Sequence, residues 1–482
     1  DVYKRQVDDG YFGKRDDNGI MHTHEQRFPN GMKPIADYVH GLGMKAGLYT
    51  DAGNSTCGSM WDNDAAGVGA GIYGHEPQDA QLYFGDWGFD FIKIDYCGGD
   101  ALGLNEKERY TSIRNSIDKV NKDVSINICR WAFPGTWAKD AATSWRISGD
   151  INAHWGSLRY VVGKNLYLSA YAGNGHYNDM DMMVIGFRND SKVGGQGLTP
   201  TEEEAHFGLW CIMSSPLLIG CNLENMPDSS LKLLTNKELI ALNQDPLGLQ
   251  AYVAQHENEG YVLVKDIEQK RGNVRAVALY NPSDTICSFS VPFSSLEFGG
   301  NVKVRDLVKH SDLGNFSGTF EQTLPAHSAM FLRIEGETRL EPTLYEAEWA
   351  YLPLFNDLGK NPKGIIYAHD KEASGKMKVG FLGGQPENYA EWREVYSENG
   401  GRYDMTIHYL YGKGRQIELD VNGIITKIDS LGKDNGHNQI TVPVELKAGY
   451  NTIRMGNSYN WAPDIDCFTL KKACLLYTSP SP

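Results

Sequence analysis

The run Phe89-Asp-Phe-Ile-Lys-Ile-Asp95 is a short, strongly apolar segment that ends in a carboxylate, and it predicts a buried strand. Similar runs recur between residues 7 and 248, and amphipathic stretches separate them. Further strands are predicted at 45–49, 124–129, 144–148 and near 180–185, and helices at 32–42, 80–87 and 106–120. This alternation predicts a parallel sheet, either open or closed into a (β/α)8 barrel.

Polar side chains lie at or near the carboxyl ends of these predicted strands. They are Asp51, Asp95, Arg130, Asp150 and Asp181. In a barrel, the carboxyl ends of the strands carry the catalytic groups. Strand ends also meet solvent, so each residue taken singly has a purely solvated alternative, but five together favour an active site.

Composition limits the classes of partner. The 482 residues include 46 basic and 61 acidic side chains, so the net charge of −15 disfavours a nucleic-acid partner. Because no apolar run approaches the roughly 20 residues that cross a bilayer, a membrane role is also disfavoured. The 26 tyrosines and 10 tryptophans suit sugar ligands, although a large β-rich core gives the same excess.

The remaining sequence predicts two antiparallel β domains after the barrel. Residues 249–336 lack a helical period, and their pattern predicts strands joined by turns. A charged linker with a proline follows, and the pattern of residues 343–472 again predicts strands joined by turns. Residues 1–6 and 474–482 have no structural logic of their own, so we expect both to be non-native tails outside the fold.

Two carboxylates are candidates for acid–base chemistry. Lys93 and Asp95 lie two residues apart and therefore share one face of their strand, where the lysine would keep the carboxylate ionised as a nucleophile. Asp150 follows Arg146 in the next loop, where a carboxylic acid near a second carboxylate can act as a proton donor. A structural salt bridge and a helix N-cap, respectively, are the alternatives.

Other acidic and histidine groups leave further possibilities open. Asp179 and Asp181, two residues apart, could bind sugar hydroxyls or a metal, and Asp8-Asp9 is another acidic pair near a strand end. For either pair taken alone, solvated loop acids are the favoured interpretation. His22-Thr-His24 has the spacing of a metal pair in barrel hydrolases, but it lies in a Gly- and Asp-rich loop without an obvious third histidine. The eight cysteines include no CxxC motif, so a zinc ribbon is poorly supported.

Seven stretches, in family order, carry a resemblance to a known family. They are VDDGY at residues 7–11, RFPNGM at 27–32, GLYTDAGNSTC at 47–57, DWGFDFIKIDYC at 86–97, SWRISGDI at 144–151, NDMDM at 178–182 and NQDPLG at 243–248. The sequence from residue 7 to about 336 therefore resembles glycoside hydrolase family 27, the α-galactosidase family.

The resemblance implies a (β/α)8 barrel followed by a β domain, and hydrolysis of α-galactosides with retention, without a metal or organic cofactor for catalysis. Asp95 matches the nucleophile and Asp150 the acid/base. A disulfide between Cys57 and Cys97 is implied at the pocket wall. The positions implied to contact the sugar are Asp8, Asp9, Tyr49, Lys93, Cys129, Arg130, Arg146 and Asp181.

Departures from the family pattern keep alternatives open. The family's first strand, with its pocket tryptophan, is missing, so we expect an incomplete barrel that is unstable or inactive as the chain stands. Arg130 replaces a glutamate found in many α-galactosidases. Specificity for a β-L-arabinopyranoside, an α-N-acetylgalactosaminide or an isomaltose unit is therefore an alternative, as is a non-catalytic carbohydrate-binding protein.

Residues 343–472 resemble the β-sandwich carbohydrate-binding modules of families 6 and 35. The resemblance implies a structural calcium held by Glu346, Glu348 and Asp466, although solvated strand-edge acids are an equal alternative. Trp461 and Tyr459 could stack on a sugar or belong to the core. A polysaccharide substrate and a disulfide favour a secreted or periplasmic location, and the sequence leaves the oligomeric state open.

Overall fold

The computed structural model describes residues 4–187, 196–359, 364–431 and 436–473, and the predicted tail at 474–482 lies outside these ranges. The chain forms two compact units. The first consists of Asp1–Asp150 and Gly175–Asp181, and the second of Ile151–Asn174 and Met182–Pro482. No helix among the described residues combines the length and the apolar character needed to cross a bilayer.

The first unit is built on a parallel sheet of alternating strands and helices. Its strands are β1 Lys4–Gln6, β2 Phe12–Arg15, β3 Met21–Thr23, β4 Lys45–Asp51, β5 Phe91–Asp95, β6 Ser125–Ile128, β7 Ser144–Arg146 and β8 Tyr177–Asp179. Its helices are α1 Lys33–Gly41, α2 Cys57–Trp61, α3 Glu76–Ala80, α4 Cys97–Ala101, α5 Glu106–Asp118 and α6 Ala138–Ala141. Six strands pair in the order β1-β4-β5-β6-β7-β8, all parallel, and β2 and β3 form a separate antiparallel hairpin.

Three local predictions are wrong in the first unit. Lys4–Gln6, which we predicted to lie outside the fold, forms β1 against β4 because its backbone completes the edge of the sheet. The strand predicted near 180–185 lies earlier, at Tyr177–Asp179. The apolar residues at 180–185 do not continue the strand because the backbone of Asp181 adopts a left-handed conformation, with φ 77°, shortly after it. The helix predicted at 80–87 is instead the short α3 continued by a π-helical turn at Gln81–Asp86.

Short polar side chains cap two helices of the first unit, Thr56 at α2 and Asn105 at α5. In α5, Asn105 accepts a hydrogen bond from the amide of Glu108 at 3.0 Å, and acidic residues occupy the first turn, where they complement the helix dipole. In β5, Phe91, Ile92 and Ile94 are almost fully buried, as expected for a strand covered on both faces.

The second unit begins with helices and continues as a β-sandwich. Its helices are α7 Trp155–Asn165, α8 Pro200–Ile212, α9 Asp228–Leu234 and α10 Lys237–Asn243. The strands of the sandwich are β9 Tyr252–Glu257, β10 Gly260–Asp266, β11 Val274–Asn281, β12 Cys287–Pro292, β13 Phe298–Asp306, β14 Ser311–Ser317, β15 Thr319–Leu324 and β16 Ser328–Arg339. A six-stranded sheet, β14-β13-β16-β11-β10-β9, faces the pair β12-β15 across an apolar core.

Two further antiparallel sheets make up residues 344–472, which we call the C-terminal module. Its strands are β17 Leu344–Glu346, β18 Ile366–His369, β19 Met377–Gly380, β20 Tyr389–Ser397, β21 Gly401–Leu410, β22 Arg415–Val421, β23 Ile424–Leu431, β24 His437–Leu446, β25 Gly449–Gly456 and β26 Asp464–Lys472. The sheet β18-β19-β26-β21-β24, with β17 on β26, packs on the sheet β20-β25-β22-β23.

The C-terminal module packs against the rest of the second unit. The Tyr171 and Tyr367 hydroxyls lie 2.9 Å apart, and the Lys164 ammonium contacts Asp357 at 2.6 Å. The Trp349 indole donates to the Val253 carbonyl at 2.8 Å. These contacts hold the module to both α7 and β9, so it is not a loosely tethered domain.

Candidate active site

The parallel register of the first unit brings the predicted site residues to one edge of its sheet. Asp51 and Asp95 are register partners at the ends of β4 and β5. Cys129 and Arg146 lie at the ends of the next two strands, β6 and β7. Carboxyl ends of parallel strands meet at one edge, so these groups face a common volume.

Asp95 is a buried carboxylate surrounded by mixed charges. Burial raises its pKa to about 6, and the negative charge of Asp8 adds to this. The positive charges of Lys93 and Arg146, together with the hydrogen bond from the Cys129 thiol, act in the opposite direction and favour the ionised form. The sequence-based expectation that Lys93 favours ionisation of Asp95 therefore has a structural basis.

Lys93 itself is held by a salt bridge. Its ammonium lies 3.1 Å from Asp8 Oδ2 and 5.4 Å from the centre of the Tyr49 ring. Burial disfavours the protonated amine, but the neighbouring negative charges, Asp8 foremost, outweigh it and hold the pKa of Lys93 well above its usual value. Lys93 is therefore a permanent positive charge beside Asp95.

The loops after β4 and β5 are joined covalently. The predicted disulfide between Cys57 and Cys97 is present, which confirms that pairing. The amide of Cys57 donates to the Tyr49 hydroxyl at 3.4 Å, and the amide of Gly58 donates to Asp9 Oδ2 at 2.8 Å. The disulfide loop thus orients two of the predicted sugar-contacting side chains.

Arg146 links the second predicted catalytic carboxylate to the site. Its Nη2 atom lies 3.0 Å from Asp150 Oδ1 and 2.9 Å from Asp181 Oδ2, and its Nη1 atom lies 3.8 Å from the Cys129 sulfur. The Arg146 side chain is only 3% exposed, whereas Asp150 is 76% exposed. A buried cation therefore holds a carboxylate that reaches into solvent.

The acidic pair at β8 has two different environments. Asp179 is buried and accepts a hydrogen bond from the Asn127 side chain at 2.7 Å. Burial raises the pKa of Asp179, and the Arg146 charge opposes this rise. Asp181 is the member of the pair that contacts Arg146. Sequence reasoning missed Asn127, although its polar side chain inside an apolar strand was a usable signal.

Arg130 is already engaged by partners that the sequence did not reveal. Its guanidinium lies 3.2 Å from Glu106 Oε1 and 3.2 Å from Asp100 Oδ1, and it covers the Tyr96 ring with 5.2 Å to the centre. The Arg130 side chain is 11% exposed. Its contact with a sugar stays a prediction, and the structure shows a residue that ties the loop after β6 to α4 and α5.

The histidine pair has local partners. His22 Nε2 lies 3.6 Å from Asp16, and the His24 ring accepts the amide of Arg27 at 3.3 Å. Neither histidine belongs to a group of metal-ligating side chains within ligand distance of one another among the described residues. The geometry gives this pair no role at the sheet edge.

Family models match most of the chain. One described as Alpha galactosidase A matches residues 3–245, and one described as Alpha galactosidase C-terminal beta sandwich domain matches residues 260–334. These matches support a family barrel followed by a β-sandwich, as the sequence predicted.

Individual proteins similar to this chain carry alpha-galactosidase names as well. The chain is 35% identical over 352 residues to "Alpha-galactosidase A" of Cellvibrio japonicus, which covers 68% of this chain and 81% of that protein. It is 37% identical over 318 residues to "Alpha-galactosidase 3" of Arabidopsis thaliana, which covers 65% of this chain and 68% of that protein. The crystal structure of alpha-galactosidase I from Mortierella vinacea superposes with a TM-score of 0.61 at 25% identity, covering 70% and 88% of the two chains.

Replacing Asp95 with asparagine should stabilise the protein at alkaline pH. Because the pKa of Asp95 is raised to about 6 in the folded state, the folded protein holds a proton that the unfolded chain releases at lower pH. The ionised group therefore weakens the fold above that range. We expect Asp95→Asn to be more stable than wild type by about 2–3 kcal/mol near pH 8, and this gain to vanish as the pH falls through about 6 to 4.

Urea unfolding of both proteins near pH 8 and near pH 4.5 measures this difference. The exposed Asp123, placed before β6, supplies the matched control Asp123→Asn, which should change stability little at either pH. A stability gain of equal size at both pH values would contradict the account.

Proposed function

The chain belongs to the alpha galactosidase A family, and from this membership we propose that it is a retaining glycoside hydrolase that removes terminal α-linked galactose from oligo- or polysaccharides. The observation that carries the proposal is the placement of two carboxylates around one buried cation. The positive charge of Arg146 opposes the rise in the pKa of Asp95, and its guanidinium contacts Asp150 directly. Both carboxylates therefore belong to one electrostatic site.

The first step of the proposed reaction uses both carboxylates. Asp95 attacks the anomeric carbon and forms a glycosyl ester, while Asp150 gives its proton to the departing glycosidic oxygen. Lys93 and Arg146 favour the ionised nucleophile, whose pKa of about 6 leaves it largely charged at neutral pH. The buried nucleophile is shielded from bulk water, which suits formation of the ester.

The second step reverses the roles. Asp150, now a carboxylate, takes a proton from a water molecule that attacks the anomeric carbon of the glycosyl ester, the bond from that carbon to the Asp95 oxygen breaks, and Asp95 leaves as the free carboxylate. Two displacements at one carbon retain the configuration. The exposure of Asp150 gives it access to that water and to the leaving sugar, and Arg146 keeps Asp181 as a partner while Asp150 carries its proton.

The proposed galactose contacts surround this pair. They are Asp8, Asp9, Tyr49, Lys93, Cys129, Arg130, Arg146 and Asp181. The disulfide loop and the Asp8–Lys93 salt bridge support the first four by holding their side chains in place. For Arg130, the paired guanidinium supports a role in shaping the pocket wall.

The disulfide also supports a location. A bond between Cys57 and Cys97 persists in an oxidising compartment, so we propose a secreted or periplasmic protein.

Hydrolysis of a panel of nitrophenyl glycosides tests the activity. The α-galactoside should be the preferred substrate, and Asp95→Ala should lower kcat by at least about 1000-fold while sugar affinity stays measurable. Asp123→Ala, on an exposed loop, is the matched control and should leave kcat unchanged.

Turnover of only the β-L-arabinopyranoside or the α-N-acetylgalactosaminide would overturn the proposed specificity. Retention of full kcat by Asp95→Ala would overturn its role as nucleophile.

For the C-terminal module, we propose carbohydrate binding at Trp461. This side chain is 44% exposed and lines a cavity of about 190 Å³ together with Asn388 and Gln385. An exposed indole beside side-chain amides offers a stacking face and hydrogen-bond partners, which is the chemistry that binds a sugar ring. The Phe381 ring lies 6.5 Å from the Trp461 ring and extends the apolar surface.

Retardation of the protein in native gels that contain galactomannan tests this site. Trp461→Ala should abolish the retardation, because the stacking face is lost, and should leave kcat on a nitrophenyl galactoside unchanged. Tyr38→Ala, which removes an aromatic side chain that is 69% exposed on α1, is the control. Unchanged retardation of Trp461→Ala would contradict a binding site at this residue.

We also propose a structural calcium in the C-terminal module. Glu346, Glu348 and Asp466 are buried, and both carboxylate oxygens of Glu348 and Oε2 of Glu346 lack a hydrogen-bond donor. Buried carboxylates without donors are costly, and a hard cation with oxygen ligands removes that cost. Burial raises the pKa of all three groups, to about 7 for Glu346 and about 6 for Asp466.

The residues around these carboxylates fit a bound cation. Ser374 donates its hydroxyl to Glu346 at 2.6 Å and its amide to Asp466 at 2.9 Å. At Gly375, with φ 57°, a Cβ atom would lie 2.3 Å from Glu348 Oε1, so the backbone closes over the cluster. When bound, calcium would supply charge neutralisation and a fixed geometry for the first and last strands of the module.

Thermal unfolding with calcium and with a chelator tests the metal. Calcium should raise the Tm of the wild type, and Glu348→Gln should reduce the shift because it removes one charged ligand. Glu445→Gln, exposed on β24, is the matched control. A Tm that is independent of calcium in the wild type would contradict the proposal.

A further inference from the structure

Asp51 is a second buried carboxylate directly beside Asp95. It ends β4 in register with Asp95, which ends β5, and the pair Tyr49 and Lys93 occupies the register two residues earlier. The Lys93 ammonium lies over the Tyr49 ring at 5.4 Å, so the two strands present these residues on one face. Since side chains two residues apart share a face, Asp51 and Asp95 lie on that same side.

One oxygen of Asp51 joins two loops. Its Oδ1 atom accepts the amide of Gly53 at 2.6 Å and the amide of Gly98 at 3.1 Å. Gly53 belongs to the loop after β4, and Gly98 follows Asp95 by three residues. The backbone of Ala52 adds a hydrogen bond to the Asp95 carbonyl at 2.8 Å.

The two loops approach so closely that side chains are excluded between them. A Cβ atom on Gly53 would lie 2.0 Å from the carbonyl carbon of Gly98, and one on Gly98 would lie 2.4 Å from the carbonyl oxygen of Ser55. The disulfide between Cys57 and Cys97 joins the same loops covalently. The Asp51 carboxylate is therefore the polar centre of a junction that holds the residues following the nucleophile.

We propose that Asp51 is a positioning residue for the nucleophile, an inference that rests on the proposed function. Its Oδ1 atom fixes the end of β5 through the Gly98 amide, and its carboxylate is a second acidic group that shares the titration of the site. Asp51 does not contact the reacting atoms, so its effect is exerted through Asp95.

Several charged groups surround this pair. They are Asp8 after β1, Tyr49 on β4, Lys93 on β5, Tyr110 on α5, Cys129 after β6 and Arg146 on β7. Burial raises the pKa of Asp51 to about 7, the Gly53 and Gly98 amides oppose this rise, and the charge of Asp95 adds to it. Two neighbouring carboxylates thus release their protons one after the other near neutral pH.

Asparagine and alanine at position 51 separate the two properties of the side chain. Asp51→Asn keeps an acceptor oxygen for both amides, so its kcat should stay within about threefold of wild type. Because asparagine does not ionise, this variant lacks the titration of the carboxyl group at position 51. Asp51→Ala loses both hydrogen bonds, and we expect kcat to fall by about 100-fold with KM changed by less than about threefold. Asp123→Ala, exposed before β6, is the control of the same residue type.

Infrared titration of the carboxyl groups gives a readout that needs no substrate. The difference between wild type and Asp51→Asn should contain one carboxyl step near pH 7. In Asp95→Asn, the step of Asp51 should move to lower pH, because the neighbouring negative charge is gone. This second variant keeps the test independent of how well the position-51 variants fold.

The outcomes are distinct. An Asp51→Asn enzyme as slow as Asp51→Ala, or an Asp51 titration unaffected by Asp95→Asn, would overturn the positioning role. Turnover of only another glycoside by the wild type, with the infrared shifts as expected, would overturn the proposed function and leave the placement of Asp51 beside Asp95 supported.

Discussion

The first unit depends on how the buried Arg146 and the partly buried Lys93 compensate a cluster of carboxylates at the edge of a parallel sheet. Asp51, Asp95 and Asp179 lie in environments that raise their pKa values by burial. Lys93 and Arg146 oppose this rise at Asp95, Arg146 does so at Asp179, and backbone amides do so at Asp51. Removing one cation would leave uncompensated charge in a region of low dielectric, which is among the costlier changes in a protein. The arrangement therefore binds the strand ends together and creates reactive groups at the same place.

The same compensation explains why the two proposed catalytic carboxylates differ. Asp95 is buried beside positive charges and accepts a hydrogen bond from the Cys129 thiol, which favour its ionised form against the effect of burial. Asp150 is exposed and shares Arg146 with Asp181, so it can gain and lose a proton where water and the leaving sugar have access. The different environments of two similar side chains give them different roles.

Much of this site could be predicted from the sequence because strand ends are marked by simple patterns. The apolar run before Asp95 predicted the strand that ends at this carboxylate, and the family motifs implied its proposed role as nucleophile and the pairing of Cys57 with Cys97. The partners of Arg130 could not be predicted, since Glu106 and Asp100 lie on helices whose approach depends on packing. The strand at Lys4–Gln6 was missed because its residues carry no apolar signal, and backbone pairing alone places them in the sheet.

The most direct test of the central claim is the chemical trapping of the intermediate. A 2-deoxy-2-fluorogalactosyl fluoride slows the second displacement, so the sugar should accumulate as an ester on the peptide that contains Asp95, as measured by mass spectrometry after proteolysis. A label on Asp95, absent from Asp95→Asn, is the expected result. A label on another carboxylate, or galactoside turnover that proceeds with inverted product and no ester, would contradict the account.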